Sequence, residues 1–389
     1  MTRTLACALI LSAAWVPAHA FGGPTVTPAQ GETATKAGPK PAVAVPPGAN
    51  EPLEQGEGRA LAAALADKLV SMFVFKDKAE DYAAMLRKNA ADGRYDRGTR
   101  GELAKLMTDD LLAVHKDGHL HVMLAPPARQ AGSTEARERR GPPAGFGPLV
   151  QAAKTIAPGI GYIRFTAFMG TDDELAAVRK WLAENRDAKT LIFDLRNHHG
   201  GGLAEQDAIF SYLFSDNRPL VKMAVAKDLF DRGDSPLQSR PTLVFEAEGD
   251  KMVGTHRALP GEATPLRTAK VYLLISNRTA SAAEHFALAL KSTGRATLIG
   301  EATAGANHFG GGQPLTDHFG VWMPVGRTYD IKSGQDWEGA GIAPDIVADP
   351  SQALRIALEK AGLSPADAAR LDAAEVPAEP VHSNKLRAR

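Results

Sequence analysis

The chain has 389 residues, 44 % of them hydrophobic, with 45 Lys plus Arg against 45 Asp plus Glu. That charge balance suggests no nucleic-acid or polyanion partner, and the length and apolar content suffice for a sizeable core in two folded units. The one cysteine, Cys7, falls within the first twenty residues, so the chain beyond them has no thiol for disulfides, thiolate metal sites or cysteine nucleophiles.

In "MTRTLACALILSAAWVPAHA", Arg3 precedes an apolar run from Leu5 to Val16, and the small residues Ala18 and Ala20 follow. The pattern predicts a signal peptide over 1–20 cleaved after Ala20, and hence an exported protein, periplasmic or secreted. The run is too short for a membrane span, and no later stretch approaches the ~18 apolar residues that one needs. Residues 21–55 are rich in Pro, Gly, Ala and Thr without an apolar period, which predicts a flexible leader. From 56 to 125 the pattern turns helical. Leu61, Leu65, Leu69, Val70 and Phe73 fall in one stretch, Tyr82, Met85 and Leu86 in a second, and Leu103, Leu106, Met107, Leu111 and Val114 in a third. Gly118 can end the third helix, and "HLHVML" from His119 alternates as a half-buried strand with Leu120, Val122 and Leu124 on one face. A Pro-, Gly- and Arg-rich linker is expected over 126–147.

Residues 148–365 read as an α/β core, with a C-terminal tail over 366–389. Strand "IGYIRFTAF" leads to a helix capped by Thr171 and Glu174, then to strand "TLIFDL" and a glycine turn. A helix from Leu203 to Phe214, strand "LVKMAV", a polar excursion from Asp228 to about Thr268, strand "KVYLLI" and a helix opened by Ser281 follow. Strands alternating with helices imply a largely parallel or mixed sheet covered by helices.

Two places could carry chemistry. Ser281 stands in "SNRTASAAEHFA" directly after an apolar strand. It fits a capping box with Glu284, the more common reason for a serine there, and it also fits a nucleophile at a strand-turn-helix junction, where backbone amides and the positive helix end would stabilise an oxyanion. The second place is "FDLRNHHGGG", a strand ending in a charged turn and three glycines. The glycines let N–H groups point at a ligand, or simply make a turn. Asp194 and Arg196 read as a structural ion pair. His198 and His199 are adjacent and point apart, so no metal site is expected, and no cofactor either.

"IGYIRFTAF", "IFDLRNHHGGG", "NRTASAAEHFALAL", "IGEATAG" and "WEGAGIAPDI", in this order, resemble the tail-specific or C-terminal-processing serine peptidase family, in its tricorn-core and interphotoreceptor retinoid-binding-protein-like branch. The resemblance covers roughly Ala60 to Lys360. It implies a crotonase-like β-β-α superhelical core with a small N-terminal three-helix region, and a polypeptide as substrate. Carried over, it makes Ser281 the nucleophile and the N–H groups of Ala282 and of Gly200 or Gly201 the oxyanion hole. In the Ser-Lys branch a lysine would stand where this chain has Ala306. In the tricorn-like branch the base is a histidine in a D-x-H segment supported by a glutamate, which here makes His119 the base and Glu338 its carboxylate.

Two departures accompany the match. Gly118 stands where the branch often has a serine beside the base, and His198 replaces the expected Asn in the glycine turn. The interval from His121 to Gly161 is about half of what a PDZ domain occupies. His121 is the fallback base, His285 reads as a helix-surface residue, His308 as a residue that could line the cleft, and Glu284 as the cap of its own helix. The resemblance implies an exported serine peptidase of Ser-His-Glu type. The alternatives are a peptide- or apolar-ligand-binding protein on the same fold, and a Ser-Lys dyad peptidase.

Overall fold

A computed structural model of the chain describes residues 46–125 and 148–375. The expected signal peptide, the leader up to residue 45, the linker 126–147 and the end of the tail lie outside the described residues. In chain order, helices α1 (Glu57–Met72), α2 (Lys76–Ala91) and α3 (Arg100–Val114) precede β1 (His121–Leu124). Then come β2 (Val150–Ala157), β3 (Ile160–Phe165), α4 (Asp172–Glu184), β4 (Thr190–Asp194), α5 (Ala204–Leu213), β5 (Arg218–Ala226) and α6 (Lys227–Asp231). The chain continues with β6 (Leu243–Glu248), β7 (Lys251–Ala258), β8 (Lys270–Ile275), α7 (Ala282–Ser292), β9 (Thr297–Gly300), β10 (Phe309–Pro314) and β11 (Phe319–Asp330). It closes with β12 (Ile346–Val347), α8 (Ala353–Lys360) and α9 (Pro365–Ala374).

The fold is mixed α/β with two sheets. One runs β12-β9-β8-β4-β3-β2, parallel except for β2. Its central strands β3 and β4 are buried at every residue, as an apolar run covered by helices on both faces must be. One face packs on α4, α5 and α7 through Phe193, Phe210 and Phe286, and the other on α8 and α9 through Ile192, Leu354 and Leu358. The second sheet, β1-β11-β5-β7-β6 with β10 also on β11, is antiparallel. Helices α1 to α3 cover it through Leu65, Leu69, Met107 and Leu111 against Phe319 and Val321. Helix α7 contacts strands of both sheets.

Three expectations change. The polar excursion contains the β6–β7 hairpin of the second sheet, whose outer strand β6 keeps an exposed face, so the apolar signal there is weak. The last residues assigned to the flexible leader are held in place. Leu53 donates to Gly98, the Arg100 and Gly101 N–H groups donate to Glu51 and Ala49, and Glu51, Glu54 and Glu57 surround the buried Arg100 guanidinium. The start of the tail forms α9, where Ala368 is fully buried and the Glu375 carbonyl accepts from Arg164 at 2.5 Å.

Candidate active site

Ser281 stands between β8 and α7 with φ 54 and ψ −118, the one non-glycine residue with positive φ among those described. An L-residue held there costs on the order of 1–3 kcal/mol, and the surroundings show what holds it. The Ser276 hydroxyl donates to the Arg196 carbonyl at 2.5 Å and the Thr279 hydroxyl to the Leu195 carbonyl at 2.8 Å. The Ala280 N–H donates to the His198 carbonyl at 2.9 Å. These bonds stitch the turn after β8 to the turn after β4.

Glu284 does more than cap its helix. Its buried carboxylate accepts from the N–H groups of Ser281 (2.8 Å), Gly305 (2.8 Å) and Ala306 (2.9 Å) and from the Thr303 hydroxyl (2.6 Å). Burial raises its pKa against those four donors. The result is a rigid junction between the serine turn and the loop 303–306.

The glycine turn lies directly against the serine. A Cβ on Gly200 (φ 102) would sit 2.7 Å from the Ser281 Cβ and 3.2 Å from its Oγ, so only glycine allows this approach. Gly201 (φ 131) forms a parallel bridge with Phe168, whose N–H donates to the Gly200 carbonyl and whose carbonyl accepts from Gly202. That pattern turns the N–H of Gly201 to the opposite edge. His198 is fully buried, packs edge-on against Phe168, and accepts the Gly200 N–H at Nδ1 (3.0 Å). His198, standing where Asn was expected, thus bonds the glycine turn, and of the two glycines it leaves Gly201 with the uncommitted amide. Burial pushes the His198 pKa down to about 3. His199 is exposed, so the two neighbours do point apart. Asp194 and Arg196 form a buried ion pair at 2.7 Å, with the Tyr162 hydroxyl donating to Asp194 at 2.7 Å.

His119 precedes β1, which is seated by its pairing with β11. Its ring stacks on Trp322, with 4.8 Å between centroids and 24° between planes. It lines a cleft together with Ala280, Ala306 and His199, next to the serine turn. Its Nδ1 is buried and no polar group of the described residues pairs with it. Burial lowers its pKa, opposed by the charges of Asp117 and Glu338. The ring is therefore neutral near pH 7. No hydrogen bond joins it to Ser281 among the described residues, and the fallback His121 is exposed, its Nδ1 bonded to the His119 carbonyl at 2.7 Å.

Glu338 does not touch the His119 ring through a hydrogen bond. Its Oε1 accepts from the Gly118 N–H (3.0 Å) and its Oε2 from the N–H groups of Asn307 (2.7 Å) and His308 (3.1 Å). It therefore positions the turn that carries His119, and it acts on the ring by charge. Sequence reasoning missed the group beside it. Asp117 accepts from the N–H groups of His119 and Leu120 and, at 2.7 Å, binds Nδ1 of His308. Burial works against charge on both, yet their pairing wins, lowering the Asp117 pKa and raising that of His308. His308 is thus a buried partner of the turn that carries His119 and lines neither cleft. The D-x-H spelling was the available signal for Asp117; nothing local marked His308, 191 positions away. Donor atoms of Asp117, His308 and Glu338 lie within 4.8 Å of one another, but each is already engaged in these bonds, which suits a polar junction better than a metal site.

Ser281 borders a second cleft, of about 200 Å³, with Ala282, Gly201 and His285 in its lining. His285, expected on a helix surface, is buried, because α7 is enclosed on nearly every face. The lysines are elsewhere: Lys291 binds the Ala343 carbonyl (2.5 Å) and Asp345 (3.0 Å), and Lys332 the Ser292 carbonyl (2.5 Å), both at the far end of α7.

Residues 159–348 match the model of peptidase family S41. The Arabidopsis thaliana carboxyl-terminal-processing peptidase 1, chloroplastic, is 30 % identical over 191 residues, 48 % of this chain and 33 % of that protein. A Picosynechococcus carboxyl-terminal-processing protease is 27 % identical over 188 residues, 48 % of this chain and 39 % of that one. The chain spans about a third of the length of the first curated relatives it matches. Among solved structures, a Parabacteroides merdae protein shares the fold at 18 % identity and TM-score 0.50, covering 75 % of this chain and 90 % of that one. The photosystem II D1 C-terminal processing protease aligns at 16 % identity and TM-score 0.48, over 75 % and 93 %. Ser281, Ala282, Gly200, Gly201 and Glu338 lie inside the matched segment and His119 outside it; the chain carries a peptidase family S41 domain over residues 159–348.

Proposed function

We propose that the chain is an exported serine peptidase that cleaves polypeptides by acyl transfer, on a crotonase-like β-β-α superhelical core preceded by three helices. Ser281 is the nucleophile, His119 the general base, and Glu338 the carboxylate that positions and supports the base. The N–H groups of Ala282 and Gly201 are the oxyanion donors. The observation that carries this reading is the positive φ of Ser281, held at a helix N-terminus against a glycine turn. A hydroxyl needed only for capping has no use for that strain.

In the first step neutral His119 takes the Ser281 proton as the oxygen attacks the scissile carbonyl. The negative charge on the carbonyl oxygen falls between the two amides at the positive end of α7. The imidazolium is stabilised by Asp117 and Glu338, both of which raise its proton affinity. It then protonates the departing amine, and a water molecule deprotonated by His119 hydrolyses the ester. The serine and imidazole are expected to close to hydrogen-bond distance with substrate in place. The tethering of Lys291 and Lys332 away from Ser281 favours histidine over lysine as the base.

A fluorophosphonate probe should label Ser281 and no other serine, and the Ser281→Ala protein should take up none. Folded protein that neither labels nor cleaves any member of a panel of unstructured polypeptides would turn the reading toward a binding protein. Export is tested by N-terminal sequencing, which should find Phe21 first; soluble protein retaining Met1 would refute it.

A further inference from the structure

The cleft beside Ser281 and Ala282 contains a polar chain that peptide-bond cleavage does not itself require. His285 lies one helical turn past Ser281 on α7, is 3 % exposed, and lines that cleft. Its Nε2 is 2.8 Å from Nδ1 of His256, which is fully buried. The His256 Nε2 is 2.9 Å from Oδ1 of Asp207, whose other oxygen faces Arg240 at 3.4 Å.

The protons along the chain follow from what each group can donate. An ionised carboxylate only accepts, so His256 directs an Nε2 proton at Asp207 and, in that tautomer, accepts at Nδ1. His285 must then donate from Nε2, which leaves a lone pair on Nδ1. Burial and the neighbouring His256 push the His285 pKa well below the usual imidazole value, so the ring stays neutral. The remaining lining includes Leu203, Met223, Leu243 and Phe309. An acceptor at one point of a wall that also holds the polar Gln238, Arg240, Asn307 and Thr328 rewards a ligand that brings a donor to that point.

We infer that this cleft takes a substrate side chain beside the scissile bond and selects one with an apolar stem and a hydrogen-bond donor at its tip, received by Nδ1 of His285. Asp207 and His256 are positioning residues that fix the His285 tautomer. The inference rests on the peptidase reading of Ser281 and names the selectivity of that site. Aliphatic and phenylalanyl side chains fill the same volume but leave the acceptor unpaired.

The test uses full-length Ser281→Ala protein and uncleaved peptide pairs that differ only in Tyr against Phe or Thr against Val, with affinities measured by calorimetry. The donor-bearing member should bind about tenfold tighter, the effect of about one buried hydrogen bond. His285→Leu should bring the ratio to about one. Asp207→Leu should do the same, while Asp207→Asn, whose side-chain oxygen still accepts from His256, should restore the preference. A ratio of one in the folded Ser281→Ala parent overturns the inference; if native protein still labels at Ser281, the peptidase reading survives that result. Failure to bind any peptide, with no labelling of native protein, overturns both. If the His285 variant does not fold, the His285 tautomer read by nitrogen NMR in the parent decides: a proton on Nδ1 refutes the inference, and a bare Nδ1 supports it.

Discussion

Replacing Glu338 with Gln distinguishes support of the base from participation in the chemistry. Glu338 accepts three N–H groups, from Gly118 on one oxygen and from Asn307 and His308 on the other. A glutamine keeps one oxygen, best placed on the Asn307–His308 pair, and turns an NH₂ toward the Gly118 donor. One N–H is orphaned, at about 1–3 kcal/mol, and the lower end applies because the side chain is 13 % exposed. The lost charge also removes one of the groups that raise the His119 pKa, so the imidazolium in the transition state is less stabilised. Together these should lower kcat/KM by about 10- to 100-fold, or ~1.4–2.7 kcal/mol. His119→Ala should cost more, about a thousandfold or beyond, because the hydroxyl loses its proton acceptor.

The pH profile supplies the sign. With His119 as the base, activity should rise as it loses its proton, and burial places that limb below the usual imidazole value of ~6.5. Glu338→Gln should move the limb to still lower pH while reducing the plateau. The assay is kcat/KM for a fluorogenic unstructured peptide between about pH 5 and 9, with far-UV circular dichroism as a folding control. A Glu338→Gln limb displaced upward, or a folded His119→Ala protein with near-normal kcat/KM, would refute the assignment.

Three further outcomes are expected. Gly201→Ala would place a Cβ 1.9 Å from the Phe168 carbonyl oxygen, so the turn must shift; folded variant should lose at least about 100-fold in kcat/KM, read with the same peptide. Lys291→Ala should retain activity within about threefold, since its ammonium is held at the far end of α7, and an inactive folded variant would restore the lysine mechanism. His198 has a depressed folded pKa, so the unfolded chain binds the extra proton; its stability contribution is full above ~6.5 and is lost as pH falls toward 3, roughly 3 kcal/mol by pH 4. His198→Asn should flatten that part of the acid limb in urea titrations from pH 7 to 4, and an unchanged slope would show that His198 is not its source.

The parallel strands were legible because burial on both faces leaves no room for polar residues, and Leu191 to Phe193 and Val271 to Ile275 are apolar throughout. The hairpin of β6 and β7 was not, because an edge strand with Glu246 and Glu248 exposed has the composition of a loop. His285 was misread for a related reason. A helix surface is inferred from one polar face, but α7 lies between two sheets and buries Glu284 and His285 with its alanines. Their polarity is satisfied by Thr303, Gly305 and His256, all distant in sequence. Local patterns located Ser281, the glycine turn and the D-x-H segment; the partners that fix their geometry belong to tertiary structure.

The pairing of β1 with β11 sets an order of events for a chain made from its N-terminus. His119 emerges early, Ser281 some 160 positions later, and the strand that seats the imidazole segment, Phe319–Asp330, later still, followed by Glu338. For a Ser281–His119 site, a nascent or truncated chain carries a serine turn without a positioned proton acceptor until nearly all of the described sequence has passed. With the proposed site, competence would arrive as a single late closure, and the growing polypeptide would be spared its own hydrolysis while its segments are still unfolded.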